Sequence, residues 1–363
     1  MCFVYQPVFD EMTDREITAQ LKNSIKAAVY SKYGPSLDPN IEKRIRDEWA
    51  VIEASDGVLD LAIAFEIVTS LRNCSLPFWM RATSGSGFIP CLLGMTFSNP
   101  LPPHYYCPRC RRVEWVNGYA EGFDLPSNAV CEKDGAIMRG DGHNIPWQSH
   151  WGKDNRAAYY DIDVPSSVFI NLYTALQRHW SKKLSAEKEP FCVRDGMGQF
   201  IIKLSHISAA CILSNKTVDY GSLPEVNISD ASEILNDDSQ ADEVLLSCRA
   251  DSFADVVAKL GLHHSAGGWD NDVFELLKSR NLHLFNLIAH RDDIFFYLRS
   301  HGFSDKEAWE GMERVRLGKG LPKITVEMSQ SADNWVIDCC SKIEYLFPKA
   351  HDLEYVFFRA RMK

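Results

Sequence analysis

The sequence predicts an α+β fold, and three observations lead to that class. Helical periodicity dominates residues 13–72 and returns from Asp251 to Lys363. Between these blocks lie two extended segments, Ala157–Val164 and one around Gln199–Leu204. The same middle region carries Cys107-x-x-Cys110 followed by Cys131-x-x-Asp134, the spacing of a four-ligand ribbon that would close a small sheet around a metal.

The first helix is expected after Thr13-Asp-Arg-Glu16, which has capping-box spacing, with Ile17, Leu21, Ile25 and Val29 on one face. The turn cluster Lys32–Asn40, with two prolines, ends it. Further helices are expected near Ile41 and after Asp56-Gly57. A helix is also expected over Val168–Leu184, and an acidic linker over 214–250 marks the best boundary.

At 363 residues the chain can bury a large core and is expected to form two or three subdomains. It has no apolar run long enough to span a bilayer, and its first residues lack a basic region followed by an apolar one, so a cytoplasmic protein without a membrane partner is expected. The eleven cysteines are odd in number and mostly in apolar contexts, as reduced intracellular thiols are. A net charge of −10 weighs against broad non-specific nucleic-acid binding. A basic groove could still form from Arg109, Arg111 and Arg112 with Arg314–Lys319.

Three stretches carry chemistry. Arg81-Ala-Thr-Ser84-Gly85-Ser86-Gly87 is a small-residue loop ahead of an apolar, helix-like run. Such a loop is often only a connector. With Arg81 as a clamp, it could instead bring backbone N–H groups and a helix N-terminus to a phosphate. In the cysteine stretch, Cys107, Cys110, Cys131 and Asp134 would close a structural zinc site, with His143 as an alternative fourth ligand. Asp161 and Asp163 stand two apart in a strand and so share a face, where they could hold divalent ions such as Mg²⁺. Two solvated surface acids would look the same in isolation.

Together these stretches resemble the polymerase core of the PolC-type α subunit of bacterial DNA polymerase III, a C-family replicative enzyme. The Arg81 loop resembles that family's phosphate-contacting loop, and Asn99–Cys110, Gly122–Cys131 and Asp141–Pro146 resemble its zinc-bearing insertion. Ala289–Ile294, Val315–Leu321 and Tyr345–Tyr355 resemble its fingers. The resemblance implies a nucleotidyltransferase-like palm sheet with a zinc-ribbon insertion and helical thumb and fingers. The implied division is 1–75 (thumb-like, with a lead-in), 76–245 (palm-like, with the ribbon at 104–135) and 246–363 (fingers-like). It further implies catalytic roles for Asp161 and Asp163, and nucleotide contacts from Arg81, Ser84, Gly85, Ser86, Lys349 and His351.

The departures are specific. Where the family carries its third catalytic aspartate, in a Lys-Leu-Asp strand, this chain has Lys203-Leu204-Ser205. Ala82 and Gly87 replace a more usual glycine and serine, and Asp134 replaces a cysteine. The segment between Asp163 and Lys203 is short, and nothing resembles the family's exonuclease, phosphoesterase or clamp-binding parts. A truncated, degenerate pseudo-polymerase is therefore expected, acting by binding nucleotide, DNA, a replication protein or a polymerase-directed small molecule. A minimal active polymerase using Asp161 and Asp163, with an unrecognised third carboxylate such as Asp195, Asp219, Asp237 or Asp238, is the alternative, and a zinc-stabilised interaction module is a third.

Overall fold

A computed structural model describes residues 3–147, 160–180, 191–193, 202–206, 243–321 and 334–361. It is an α+β molecule with two small sheets between two groups of helices. No described helix is long and apolar enough to cross a membrane.

Helix α1 (Asp14–Tyr33) starts at the capping box of Thr13 and Glu16. It buries Ile17, Leu21, Ile25, Val29 and Tyr33, a four-residue repeat that keeps one face inward. Gly34, at φ +78°, ends it. Helix α2 (Pro39–Ala54) starts with proline in its first turn, behind Asp38, whose carboxylate accepts the Asn40 N–H. Helix α3 (Val58–Asn73) is apolar nearly all round and lies inside the largest core cluster. Its single buried acid, Glu66, accepts the Phe9 N–H (2.5 Å), the Val8 N–H and the Tyr5 hydroxyl (2.5 Å), which ties down the chain before α1.

The four-stranded sheet has the order β1 (Trp79–Met80), β5 (Tyr160–Val164), β7 (Ile202–His206), β6 (Phe191–Val193). The β1–β5 pair is antiparallel, with Trp79 opposite Asp163, and the other pairs are parallel. Along β5 and β7, Tyr160 pairs with Ile202, Asp161 with Lys203 and Asp163 with Ser205. After β5, α5 (Ser166–Trp180) covers the sheet and buries Leu172, Leu176 and Trp180 against α3 and β5 in one cluster. This helix ends four residues before the expected Leu184, at the limit of the described segment.

The second sheet, β3 (Val113–Trp115), β2 (His104–Tyr106), β4 (Arg139–Asp141), is antiparallel throughout. The helices that follow are α6 (Glu243–Ser247), α7 (Phe253–His264), α8 (Asn271–Ser279), α9 (Arg291–Ser300), α10 (Asp305–Arg316) and α11 (Asn334–Lys342). The last is α12 (Lys349–Arg361), which returns to the sheets. Phe253 and Phe357 stack between α7 and α12, and Asp124 caps α7 by accepting the Phe253 and Ala254 N–H groups (2.6 and 3.0 Å).

Between α3 and β2 lie the Arg81–Gly87 loop, α4 (Phe88–Leu92) and the turn to Asn99. Gly85 lets this segment touch α12, because a Cβ there would sit 2.7 Å from the Glu354 Cγ. Gly85→Ala is therefore expected to lower stability by about 1–3 kcal/mol through overpacking, read as a lower urea midpoint with an unchanged slope.

Candidate functional site

Asp161 and Asp163 lie on β5, buried and separated by Ile162. The Arg81 loop is knitted to this strand: the Arg81 N–H donates to the Asp161 carbonyl (2.8 Å), and the Asp161 N–H donates to Ser84 Oγ (2.9 Å). The Arg81 Nη1 stands 3.7 Å from Asp163 Oδ1, and its guanidinium carbon is 5.8 Å from the Trp79 ring. Ser205 is the backbone partner of Asp163 on the neighbouring strand. The alternative carboxylates Asp195, Asp219, Asp237 and Asp238 lie outside the described residues.

The expectation that a helix N-terminus meets a phosphate here is corrected. Helix α4 has five residues, and its leading Phe88 and Ile89 N–H groups donate to the two oxygens of Glu48, each at 2.9 Å. Glu48 is fully buried and paired with Arg44 at 2.5 Å, so an internal carboxylate already occupies the positive end of the helix. The loop also turns inward. Ser84, Gly85 and Ser86 are buried, and the Ser84 and Ser86 N–H groups close turns on the Arg81 and Thr83 carbonyls.

His351 faces the same loop. The Ala82 N–H donates to His351 Nδ1 (3.1 Å), which leaves the proton of the neutral ring on Nε2. Burial lowers the ring's pKa to about 3, so it stays neutral. Ala82 itself has φ +51°, a conformation that glycine adopts without strain. Lys349 is held elsewhere: its ammonium donates to the His143 carbonyl (2.7 Å) and pairs with Glu121. Next to them, the buried Asp352 contacts His264 Nδ1 (2.5 Å) and His290 Nε2 (3.0 Å). Burial alone would lower the His290 pKa, but Asp293 and Asp352 push it up to about 10. Gly261 makes room for this ring, since a Cβ there would lie 2.3 Å from His290 Nε2.

Cys107, Cys110, Cys131 and Asp134 do converge, with their four ligand atoms all within 4.8 Å of one another. Two tight turns present them. In the first, the Cys110 N–H points at Cys107 Sγ (3.3 Å) and the Arg111 N–H at the Cys107 carbonyl (2.9 Å). In the second, the Gly135 N–H donates to the Cys131 carbonyl (2.9 Å) and the Ala136 N–H to Asp134 Oδ1 (3.0 Å). Three thiols and a carboxylate at this separation fit a tetrahedral cation such as zinc. His143 is corrected as the alternative ligand: its Nδ1 is 2.5 Å from Glu121 Oε2, and its ring packs on Phe123, Phe253 and Phe357.

The arginines considered for a basic groove are partnered. Arg112 pairs with Glu114 and Glu132, Arg316 with Glu313, and Arg109 donates to the Asp134 carbonyl. Sequence reasoning missed Glu48, Glu121 and Glu354, the buried acids that set the shape of the site. The signal for Glu354 was an acid among apolar neighbours, as in Leu353-Glu354-Tyr355.

No family model matches the chain. It is 25% identical over 460 aligned positions to the protein named DNA polymerase III PolC-type of Thermotoga maritima, covering 94% of this chain and 33% of that protein. The Bacillus subtilis protein of the same name is 24% identical over 462 positions, covering 96% of this chain and 32% of the relative. That of Mycoplasma genitalium is 24% identical over 478 positions, covering 99% and 32%. The chain thus spans about a third of the length of these relatives. The aligned lengths exceed the 363 residues available, so the relatives carry insertions within the matched region.

The His290 pair gives a pH expectation. The folded-state pKa of about 10 lies above the ordinary value near 6.5, so the stabilisation is complete below about pH 6.5 and is lost as pH rises through 10. Urea midpoints should fall across the alkaline range, and His290→Gln should flatten that slope.

Proposed function

Because this chain is a PolC-like homologue, we propose that it keeps a palm, thumb and fingers scaffold and binds nucleotide or primed DNA, with chain extension strongly impaired. The observation that carries the reading is the strand register in which Ser205 is the partner of Asp163. The resemblance puts the third catalytic carboxylate at this position. A hydroxyl is a poor ligand for two divalent ions, and metal positioning supplies much of the rate in such reactions.

In this reading Asp161 and Asp163 would be the residues that hold Mg²⁺, which when bound would activate a 3′-hydroxyl and steady the leaving pyrophosphate. The neighbouring Arg81 already gives Asp163 a cationic partner. Arg81 and His351 remain the proposed nucleotide contacts. The inward-turned Ser84, Gly85 and Ser86 act by positioning Arg81 against β5, and Lys349 acts by bracing Glu121. The proposed roles outside chemistry are occupancy ones, engaging a replication protein or a small molecule directed at the true polymerase.

A primer-extension assay with Mg²⁺ or Mn²⁺ tests this. The chain should extend a primed template orders of magnitude more slowly than a full-length PolC-type relative, and Ser205→Asp should raise the rate. Robust extension by the unaltered chain, abolished by Asp161→Ala, would sink the proposal.

We further propose that Cys107, Cys110, Cys131 and Asp134 hold one structural zinc ion, supported by their convergence within 4.8 Å on two tight turns. Elemental analysis should then find about one zinc per chain. Cys107→Ser, or a strong chelator, should lower the melting temperature. A chain that is purified without metal, and whose melting temperature neither a chelator nor added zinc changes, would refute it.

A further inference from the structure

A second polar site lies away from β5, on the far side of α4. Here the ends of α1, α3 and α12 meet the turn from Gly94 to Asn99 and the end of β4, around a cavity of about 150 Å³. At about 30 Å³ per water, this is room for several waters or for one small ion and its shell. Three cationic side chains line it, Lys32, Arg72 and Arg361, against one carboxylate, Asp141. Cationic side chains thus outnumber carboxylates in the lining, in a chain of net charge −10.

The carboxylate is already spent inside the wall. Asp141 Oδ2 pairs with Lys32 and accepts from Asn99 Nδ2 (2.8 Å), while its Oδ1 accepts the Gly142 N–H (2.7 Å). Lys32 therefore balances Asp141, and Arg72 and Arg361 bring two guanidinium groups to the lining. Both are placed by the fold. Arg72 Nη1 donates to the Gly94 carbonyl (2.8 Å), across a position where any Cβ would collide with it. The guanidinium carbon of Arg361 lies 4.6 Å from the centre of the Phe97 ring. Glu354, which accepts the Phe97 and Ser98 N–H groups, also acts on Arg361 and meets part of its charge.

An independent observation points to a ligand. The Thr96 side chain lines the cavity and is 4% exposed, and its hydroxyl oxygen has no hydrogen-bond partner among the described residues. A buried hydroxyl without a partner is costly, and one that lines the same cavity as two guanidinium groups is suited to donate to an oxyanion. We propose that this cavity is an anion site that takes a tetrahedral phosphate group, either the free ion or the terminal phosphate of a monoester. It is separate from the Asp161–Asp163 strand and does not depend on that strand's role.

Calorimetric titration of the full chain with inorganic phosphate, at ionic strength matched with chloride, tests this, with deoxyadenosine monophosphate as the second ligand. Saturable phosphate binding is expected, weakened about tenfold in Thr96→Val, which keeps the shape and removes one hydrogen bond to a charged group. Arg361→Gln should weaken it as well. Binding of both ligands with the same Thr96→Val sensitivity assigns a monoester phosphate, and binding of phosphate alone assigns the free ion. The proposal is overturned by the absence of saturable phosphate binding. It is equally overturned by binding that survives Thr96→Val unchanged and is lost in Arg81→Gln, which would move the ion to the β5 site.

Discussion

Moving a carboxylate from water into a protein interior carries an effective penalty of several kcal/mol unless matched charges or donors meet it. This chain does so at each of its main joints. Glu66 fastens the lead-in to α3, Glu48 fastens α2 to α4, and Glu121 fastens the second sheet to α12 through Lys349. Asp352 joins α7 and the start of α9 to α12, and Glu354 joins α12 to the Phe97–Ser98 turn by accepting two backbone N–H groups (2.8 and 2.7 Å). Each acid is buried, and each is met by backbone donors, a cation or an imidazole. Removing one partner would leave the other uncompensated, so these joints tie the helical groups to the sheets far more firmly than exposed ion pairs could.

That wiring explains the form of the β5 site. The Arg81–Gly87 loop has the composition of a phosphate cradle, but several of its donors are used within the fold. Ala82 N–H goes to His351, Ser84 and Ser86 N–H close turns, and the first amides of α4 go to Glu48. The Arg81 side chain is about a third exposed and stands 3.7 Å from Asp163. The loop therefore acts as a bracket that sets one guanidinium against one strand.

Much of this was legible in the sequence. The helix start at Thr13 follows from capping chemistry, and the ribbon turns follow from the paired Cys-x-x-Cys and Cys-x-x-Asp spacings. The Asp-Ile-Asp strand was legible from its alternation. Less legible was which donors a loop spends on itself, because that depends on contacts such as Ala82 with His351, 269 residues apart in sequence. Local pattern records that Gly85 is small. Only the packed structure shows that the space is filled by Glu354. His143 misled for the same reason: spacing brought it close to the cysteines in sequence, while folding gave its ring to Glu121 and three phenylalanines.

The backbone hold on this strand and any chemistry of its carboxylates are separable. Two buried aspartates on one strand repel each other and need a cation nearby. In an active centre divalent ions meet that need, so a lost ligand weakens both the reaction and the fold. Here Arg81 stands 3.7 Å from Asp163, and the Asp161 backbone is held at both its N–H and its carbonyl by Ser84 and Arg81. Part of the charge that Asp163 needs is thus supplied from within the chain. The backbone of Asp161 and the charge of Asp163 are each met by the Arg81–Ser84 segment, the one through hydrogen bonds and the other through a guanidinium.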